Sequence, residues 1–293
     1  MSNWSLLEAT DKFLCRPRIS LPKHKTFYPS EASAQDTDGN VFGHCNRASW
    51  YRLQDYSSKI SEPSKPSSHW AAEMGSKVEE IQWERWKQMG ILLERSLKFV
   101  DAARNISGEF DGIIAEPDGK PTVVENKSFW GYYATKEICG DTRNTGKPKD
   151  QNLMQVMIYI DQATKANITD RAKLVYNARD SSQKAEFDVR LETIDGQQWP
   201  IVKVAGTTKE TYNRAFSLEM IYNRFAELKQ FVDTGVEPPR DFQKEYSAEK
   251  IELLFAKDEL SKAKYDAWKK GKETPGSWQC SYCNFASYCY RKQ

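Results

Sequence analysis

The chain has 293 residues, of which 39% are hydrophobic and 29% charged, values typical of a globular protein with a charged surface and not of a disordered chain. Its 43 Lys and Arg against 41 Asp and Glu give a net charge of +2, so overall charge does not favour a nucleic-acid partner and any basic groove must be local. No apolar run approaches the roughly 20 residues that span a bilayer, and the first residues show no apolar signal core. We therefore expect no membrane association and a cytoplasmic location.

Residues 1–44 show little periodicity and contain several prolines, which predicts an irregular arm. After a Pro- and Ser-rich linker at residues 61–68, apolar residues recur at helical spacing and predict a helix over residues 69–89. The turn composition of residues 117–120 indicates a hairpin between the last two of three short β-prone runs. The three predicted strands, which we expect to form an antiparallel unit, are residues 97–104, 106–115 and 121–127.

The second half of the chain begins with a predicted polar loop over residues 129–150. The segments predicted after it are a helix around Leu153 and Ile160 and strands at residues 172–177, 186–193 and 199–204. Thr207 and Glu210 have the spacing of a capping box and predict a long helix to about residue 233, and the charged residues 245–270 predict another helix. We divide the chain into an N-terminal arm (1–68), a core (69–205) and a helical C-terminal region (206–293).

The most informative residues are Asp111, on the second predicted strand, and Glu125 and Lys127, on the third. Alternate residues of a strand face one side, so Glu125 and Lys127 project together, and the hairpin can bring Asp111 beside them. Carboxylates suit the hard cations that activate water for phosphodiester hydrolysis, and a lysine offsets developing negative charge. The alternative is an exposed strand face. Apolar neighbours of both acids argue against it, because burying an acid without a compensating cation is costly.

Three short motifs in this order resemble the RecB-like branch of the PD-(D/E)xK nucleases. The motifs are Gly108-x-x-Asp111, Glu125-x-Lys127 and Gln155-x-x-x-Tyr159. The resemblance implies an α/β fold in which helix, three strands, helix and strand form a restriction-endonuclease-like (PD-(D/E)xK) core. Helical N- and C-terminal extensions joined by a metal cluster are expected to flank this core.

The same resemblance implies roles for individual residues. Asp111 and Glu125 would bind Mg2+ or Mn2+ through their side chains, Asn126 would bind it through its backbone carbonyl, and Lys127 would be catalytic. Gln155 and Tyr159, one helical turn apart, would orient the substrate and the lysine. The alternative for this last pair is packing of an amphipathic helix.

A further ligand in the family, often histidine, follows a glycine by four residues on the first helix. In this sequence Gly75 is followed at that spacing by Glu79, as in some relatives. Glu79 and its neighbour Glu80 are alternatively solvated helix charges. We expect Glu79 to be the ligand because it lies beside the apolar stripe that should face the sheet.

Three cysteines at the end of the chain, Cys280, Cys283 and Cys289, indicate a metal site that needs a fourth ligand from elsewhere. Cys45 is the best candidate, and His44 competes with it. The segment from Cys45 to Tyr51 resembles the Cys-x-Arg-x-x-Trp-Tyr segment of iron-sulfur nucleases of the RecB-like group, including the CRISPR-associated Cas-four type. The resemblance implies a structural [4Fe-4S] cluster; zinc is the alternative at the cysteine site.

Together these resemblances imply a metal-dependent DNA exonuclease whose substrate is single-stranded DNA or DNA with free ends. An alternative of another class is a DNA-end-binding partner of a helicase or an integrase, with little cleavage activity of its own. A third is a zinc-bound interaction module. The aromatic residues that follow Lys127, namely Phe129, Trp130, Tyr132 and Tyr133, would either stack on bases of a single strand or pack beneath a lid.

Overall fold

The computed structural model describes residues 5–15, 25–55, 57–60, 62, 65–142, 144–208 and 210–291. The chain forms two compact units. The first contains the described residues of Met1–Gly43 and Ser64–Gln230, and the second those of His44–Pro63 and Phe231–Gln293. Within the described ranges, no helix has both the length and the apolar character needed to cross a membrane.

The N-terminal part of the first unit contains more regular structure than the sequence indicated. Its elements are helix α1 (Leu6–Leu14), a 3-10 turn (Pro29–Glu31) and an antiparallel pair of strands, β1 (Ser33–Gln35) and β2 (Val41–Gly43). The prediction of an irregular arm is therefore wrong for these segments. The 3-10 turn and the two strands have three residues each and are too short to show periodicity. The nine-residue helix α1 was missed although Ser5 caps its N-terminus. Residues 1–4 and 16–24 of the predicted arm and residues 61, 63 and 64 of the predicted linker lie outside the described residues.

A seven-stranded sheet forms the centre of the first unit, with its strands in chain order. They are β3 (Leu92–Asp101), β4 (Ile106–Ala115), β5 (Pro121–Phe129), β6 (Arg171–Ala178), β7 (Lys184–Ile194), β8 (Gln197–Val204) and β9 (Glu210–Tyr212). Neighbouring strands are antiparallel except β5 and β6, which are parallel. The predicted three-stranded antiparallel unit and its hairpin are confirmed.

Two helices pack on the sheet and correspond to the two predicted core helices: α4 (Pro66–Gln88) and α6 (Asp150–Lys165). Trp83 and Trp86 of α4 are buried with Ile114 and Val124 of the sheet. Helix α6 covers the opposite face of β5. Tyr176 of β6, the register neighbour of Lys127, donates a hydrogen bond to Asn152 of α6 (2.9 Å).

Two predictions in the first unit are wrong. The polar loop predicted over residues 129–150 contains helix α5 (Tyr132–Cys139). The capping box does not begin a helix: Thr207 donates its hydroxyl hydrogen bond to the Val204 carbonyl (2.8 Å), and Glu210 lies on β9, paired with β8. The long helix, α7 (Leu218–Thr234), begins later. Pairing with β8 provides backbone hydrogen bonds that local spacing cannot reveal.

The second unit is helical. Its helices are α2 (Asn46–Leu53), α3 (Ser57–Ile60), α8 (Ala248–Ala256), α9 (Lys262–Lys269), α10 (Trp278–Ser281) and α11 (Ala286–Arg291). The single helix predicted over residues 245–270 is wrong, because Asp258 adopts a positive φ (57°) and Ser261 caps a new helix. Phe255 and Tyr265 stack at 3.9 Å between the two helices that result.

Candidate active site

Asp111 and Glu125 lie where β4 and β5 stop pairing. The register joins Gly112–Ala115 to Pro121–Val124, and these acids are the next residues on the two strands. Beyond this point the backbone N–H of Asn126 donates a hydrogen bond to the side-chain Oδ2 of Asp111 (3.1 Å). The separation of the strands thus places the predicted acids side by side and gives one of them a backbone donor.

Glu125 is completely buried and forms an ion pair with the ammonium of Lys127. Neither of its carboxylate oxygens has a hydrogen-bond partner of normal geometry in the structure. Burial raises the pKa of Glu125 to about 8, against the opposing effect of Lys127. Burial also lowers the pKa of Lys127, but the charges of Glu125 and Asp111 outweigh it, so the pKa of Lys127 is raised and the amine stays protonated.

Glu79 and Glu80 of α4 have different surroundings. Glu80 is exposed and forms a bidentate ion pair with Arg95 of β3, with Nη2–Oε2 at 2.7 Å and Nη1–Oε1 at 3.2 Å. Glu79 is half-buried, and burial raises its pKa while Lys127 opposes the shift. Electrostatic interaction with both Lys127 and Asp111 places Glu79, and not Glu80, beside the predicted site residues.

Gly75 explains how α4 comes close to β5. A Cβ at this buried position would lie 3.1 Å from Oγ of Ser128, the residue after Lys127. Only a small residue allows this close approach of helix and strand without displacing the serine. Glu79, one helical turn further along α4, is then carried toward the carboxylates.

The other predicted residues are buried in the core near the carboxylates. Asn126 is fully buried, and its Oδ1 accepts a hydrogen bond from Asn177 (2.9 Å). Gln155 and Tyr159 of α6 are also buried, and Nε2 of the glutamine donates to the tyrosine hydroxyl (2.9 Å). The charges of Glu125 and Asp111 contribute, after burial, to the raised pKa of Tyr159. The hydrogen-bonded glutamine and tyrosine therefore lie close to the acids.

Two residues that the sequence did not single out belong to these surroundings. Arg95 interacts electrostatically with Asp111 and Glu79 as well as pairing with Glu80. Asn177 of β6 donates a hydrogen bond to the side-chain amide oxygen of Asn126. Only the strand register brings these two residues to the site, so their spacing along the sequence does not indicate that they belong to it.

The donors suit a hard divalent cation, since they are carboxylates and Oε2 of the buried Glu125 has no hydrogen-bond partner in the described part of the chain. Across the described ranges, however, no group of three or more His, Cys, Asp or Glu side chains converges as a complete metal site. The acids are neighbours, and the ammonium of Lys127 is the cation that contacts Glu125. The arrangement thus places two carboxylates and a proton donor side by side.

The four predicted cysteine ligands all lie in the second unit, and all are free thiols. Burial raises the pKa of Cys45 to about 12, and the charge of Cys283 adds to this effect. Cys283 in turn interacts electrostatically with Cys280 and Cys289. The thiols are thus neighbours, but among the described residues they do not converge on one point, and the metal cluster predicted to join the chain's two ends is not shown.

The segment that begins at Cys45 contacts the C-terminal cysteine segment through several residues. Nη1 of Arg47 lies 3.7 Å from Sγ of Cys289, and the ring of Tyr51 packs edge-on against Tyr288 at 5.4 Å. Tyr51 also contacts Phe285 at 5.5 Å. These contacts bring two segments far apart in sequence together within one unit.

A cavity of about 570 Å³ lies elsewhere in the first unit, between the segment before α6 and strands β8 and β9. Lys147, Val202 and Arg214 are among the residues that line it. None of the predicted site residues contributes to it, so the cavity and the carboxylate site are separate.

Comparison with known proteins identifies one family. Residues 28–290 match a family model described as the PD-(D/E)XK nuclease superfamily. A solved structure described as "Crystal structure of SSO0001" is 15% identical, with 94% of this chain and 90% of that chain covered, at a TM-score of 0.41. That similarity is too weak to support an argument. The comparison with curated proteins gave no match.

Proposed function

Since the chain belongs to the PD-(D/E)XK nuclease superfamily, we propose that it is a divalent-metal-dependent deoxyribonuclease that hydrolyses phosphodiester bonds. The observation that carries the proposal is the buried carboxylate of Glu125, whose oxygens lack normal hydrogen bonds and which lies beside Asp111 and Lys127. The ammonium of Lys127 contacts Oε1 of this buried acid, while Oε2 has no hydrogen-bond partner among the described residues. A bound cation would compensate the cost of burying that second oxygen.

Asp111, Glu125 and Glu79 would hold Mg2+ or Mn2+, with the backbone carbonyl of Asn126 as a further oxygen ligand. A bound divalent cation polarises the phosphate and makes water more acidic. The ammonium of Lys127, kept protonated by its raised pKa, donates hydrogen bonds to the attacking water or to a phosphate oxygen and offsets the charge that develops there.

The buried pair on α6 serves as support for this chemistry. The hydrogen bond from Gln155 fixes the hydroxyl of Tyr159, and the tyrosine ring packs edge-on against Phe99 and Phe110. Both side chains are too buried to contact substrate directly. Their role in the proposal is to hold the neighbouring carboxylates in place, as positioning residues.

The finer proposal is an exonuclease that acts at DNA ends. It is supported by the resemblance of the three motifs to RecB-like nucleases. The core order of those nucleases, helix, three strands, helix and strand, matches α4, β3–β5, α6 and β6, with the short helix α5 inserted before α6.

The cysteines support a second proposal, a structural [4Fe-4S] cluster in the second unit. Cys45, Cys280, Cys283 and Cys289 are soft sulfur ligands and neighbours. Arg47 and Tyr51 contact the C-terminal segment from the same helix that Cys45 begins. The cluster would hold these two segments together and so close a long loop of chain.

The test uses end-labelled linear DNA and covalently closed circular DNA, incubated with Mg2+, Mn2+ or EDTA. We expect metal-dependent loss of linear DNA only, abolished by Lys127→Ala. Lys98→Ala is the matched control, because Lys98 is an exposed lysine on a strand of the same sheet. Cleavage of the circle would exclude a strict exonuclease. If folded wild-type protein cut neither DNA with either metal, the nuclease proposal would be wrong.

A further inference from the structure

Three aromatic side chains are exposed directly after the strand that carries Glu125 and Lys127. Trp130 is 58% exposed, Tyr132 74% and Tyr133 78%. Phe129, the last residue of β5, is by contrast 3% exposed and packs in the core. Of the four aromatic residues that follow the candidate lysine, one stabilises the fold, and three rings present large apolar surfaces to solvent.

The exposed rings are attached to a fixed part of the first unit. The Arg179 amide donates to the Phe129 carbonyl (2.8 Å), and the Gly131 amide donates to Oδ2 of Asp180 (2.7 Å). Gly131 has φ of 93°, which favours glycine and turns the chain from β5 into α5. The platform of exposed rings is therefore held at the end of β5 by the two residues that directly follow β6, Arg179 and Asp180.

A cation lies against the first of these rings. The guanidinium of Arg179 lies 4.0 Å from the ring centre of Trp130, and Nη1 donates to the carbonyl of Ala71 on α4. Arg179 thus fixes the indole relative to the helix that also carries Glu79. Its positive charge beside the indole would attract a phosphate next to a stacked base.

The platform is within reach of the candidate active site. Trp130 follows Lys127 by three residues, which corresponds to about 10 Å of extended chain. A nucleic-acid strand held at Lys127 can therefore reach the rings within a few nucleotides. Aromatic rings stack on bases of any sequence, but the faces of paired bases in a duplex are covered by their neighbours.

We propose that Trp130, Tyr132 and Tyr133 form a base-stacking site for unpaired nucleotides at the mouth of the active site, with Arg179 beside them. The inference rests on the proposed nuclease function and extends it, because it assigns the substrate near the site as a single strand. The rings would separate or hold the bases of a strand whose phosphates lie at Lys127.

The test measures binding of a short fluorescein-labelled oligothymidylate by anisotropy, in EDTA and at one fixed salt concentration. The comparison ligands are an abasic strand of equal length and a duplex. Alanine at Trp130, Tyr132 or Tyr133 should weaken binding of the oligothymidylate about 5-fold to 150-fold per ring, the equivalent of about 1–3 kcal/mol. Phenylalanine at the same positions should restore most of the affinity, because the ring is kept.

Val100→Ala is the control, since Val100 is 70% exposed and apolar and lies on β3 of the same unit. It should bind the oligothymidylate as wild type does. Binding of the abasic strand should be weak in wild type and unchanged by loss of the rings. Wild-type affinity in the alanine variants, or equal losses for the duplex and the abasic strand, would overturn the inference. A third result that overturns it is loss of affinity that phenylalanine does not restore.

Failure of this inference can be distinguished from failure of the nuclease proposal. If the alanine variants bind normally while wild type still degrades linear DNA with metal, only the stacking site is wrong. If wild type binds the oligothymidylate through its rings but cleaves nothing with Mg2+ or Mn2+, the nuclease proposal is wrong and the stacking site is supported.

Discussion

Replacing Glu125 by glutamine exchanges a fully buried, titratable carboxyl for a neutral amide of nearly the same shape, and we expect it to change how the stability of the metal-free protein depends on pH. Burial raises the pKa of Glu125 in the folded protein to about 8, from 4.5 in the unfolded chain. Between these values the folded state carries a proton that the unfolded state lacks. The free energy of unfolding therefore falls as pH rises through this window, by about 1.4 kcal/mol per pH unit.

Glutamine does not titrate in this pH range, so the stability of Glu125→Gln lacks this dependence on pH. The variant also leaves an amide in place of the carboxylate beside Lys127, which shifts its stability by an amount independent of pH. This constant shift does not affect how the difference in unfolding free energy between the variant and wild type varies with pH. We expect the difference to rise by about 3 kcal/mol from about pH 5.5 to about pH 7.5.

The assay is urea denaturation in EDTA at several pH values, followed by circular dichroism. Glu80→Gln is the matched control: the same substitution at an exposed acid on α4, which should leave the slope nearly unchanged. Parallel pH profiles for wild type and Glu125→Gln would refute the reasoning, because Glu125 would then titrate as an ordinary surface acid. In a second arm, Mg2+ or Mn2+ at about 100 times its Kd should stabilise wild type and Glu80→Gln by about 2.7 kcal/mol, and Glu125→Gln far less.

Three further predictions concern other positions. Gly112→Ala should lower the unfolding free energy by about 1–3 kcal/mol in urea denaturation, because the new Cβ would overlap the indole of Trp83; an unchanged midpoint would contradict this packing. Cys283→Ser should remove iron and the absorbance near about 400 nm from purified protein, while Cys139→Ser should leave both; equal spectra would exclude the cluster. Tyr159→Phe should cost about 1–3 kcal/mol of stability by leaving a buried amide without its acceptor, with loss of cleavage rate and little change in DNA affinity; a variant as stable and active as wild type would remove the positioning role.

The sequence predicted the core strands and helices because each is long enough to show its own period. Helices α4 and α6 have 23 and 16 residues, and the central strands have 8 to 11. Short elements were missed where pairing, and not pattern, decides the structure. Strand β9 has three residues and forms only because β8 is its neighbour, so a capping-box spacing at Thr207 was misleading.

The candidate site was predictable in part for a similar reason. The alternation of a strand suffices to place Glu125 and Lys127 on one side, and they form an ion pair. Asp111 required the hairpin register, which the turn at residues 117–120 correctly indicated. Residue spacing does not encode the twist and separation of strands. The end of the strand pairing at these acids and the contribution of Arg95 from β3 both depend on them.

The arrangement of β5 shows how the fold accommodates a costly site. Val124 and Glu125 are adjacent, so their side chains point to opposite faces of the sheet. Val124 is fully buried in the apolar cluster with Trp83 and Trp86, while Glu125 is fully buried without normal hydrogen bonds on the other face. The same backbone therefore carries a strongly stabilising contact and a destabilising acid. Because the cluster fixes β5 from one face, the acid can be kept desolvated on the other face, where a cation would bind it most strongly.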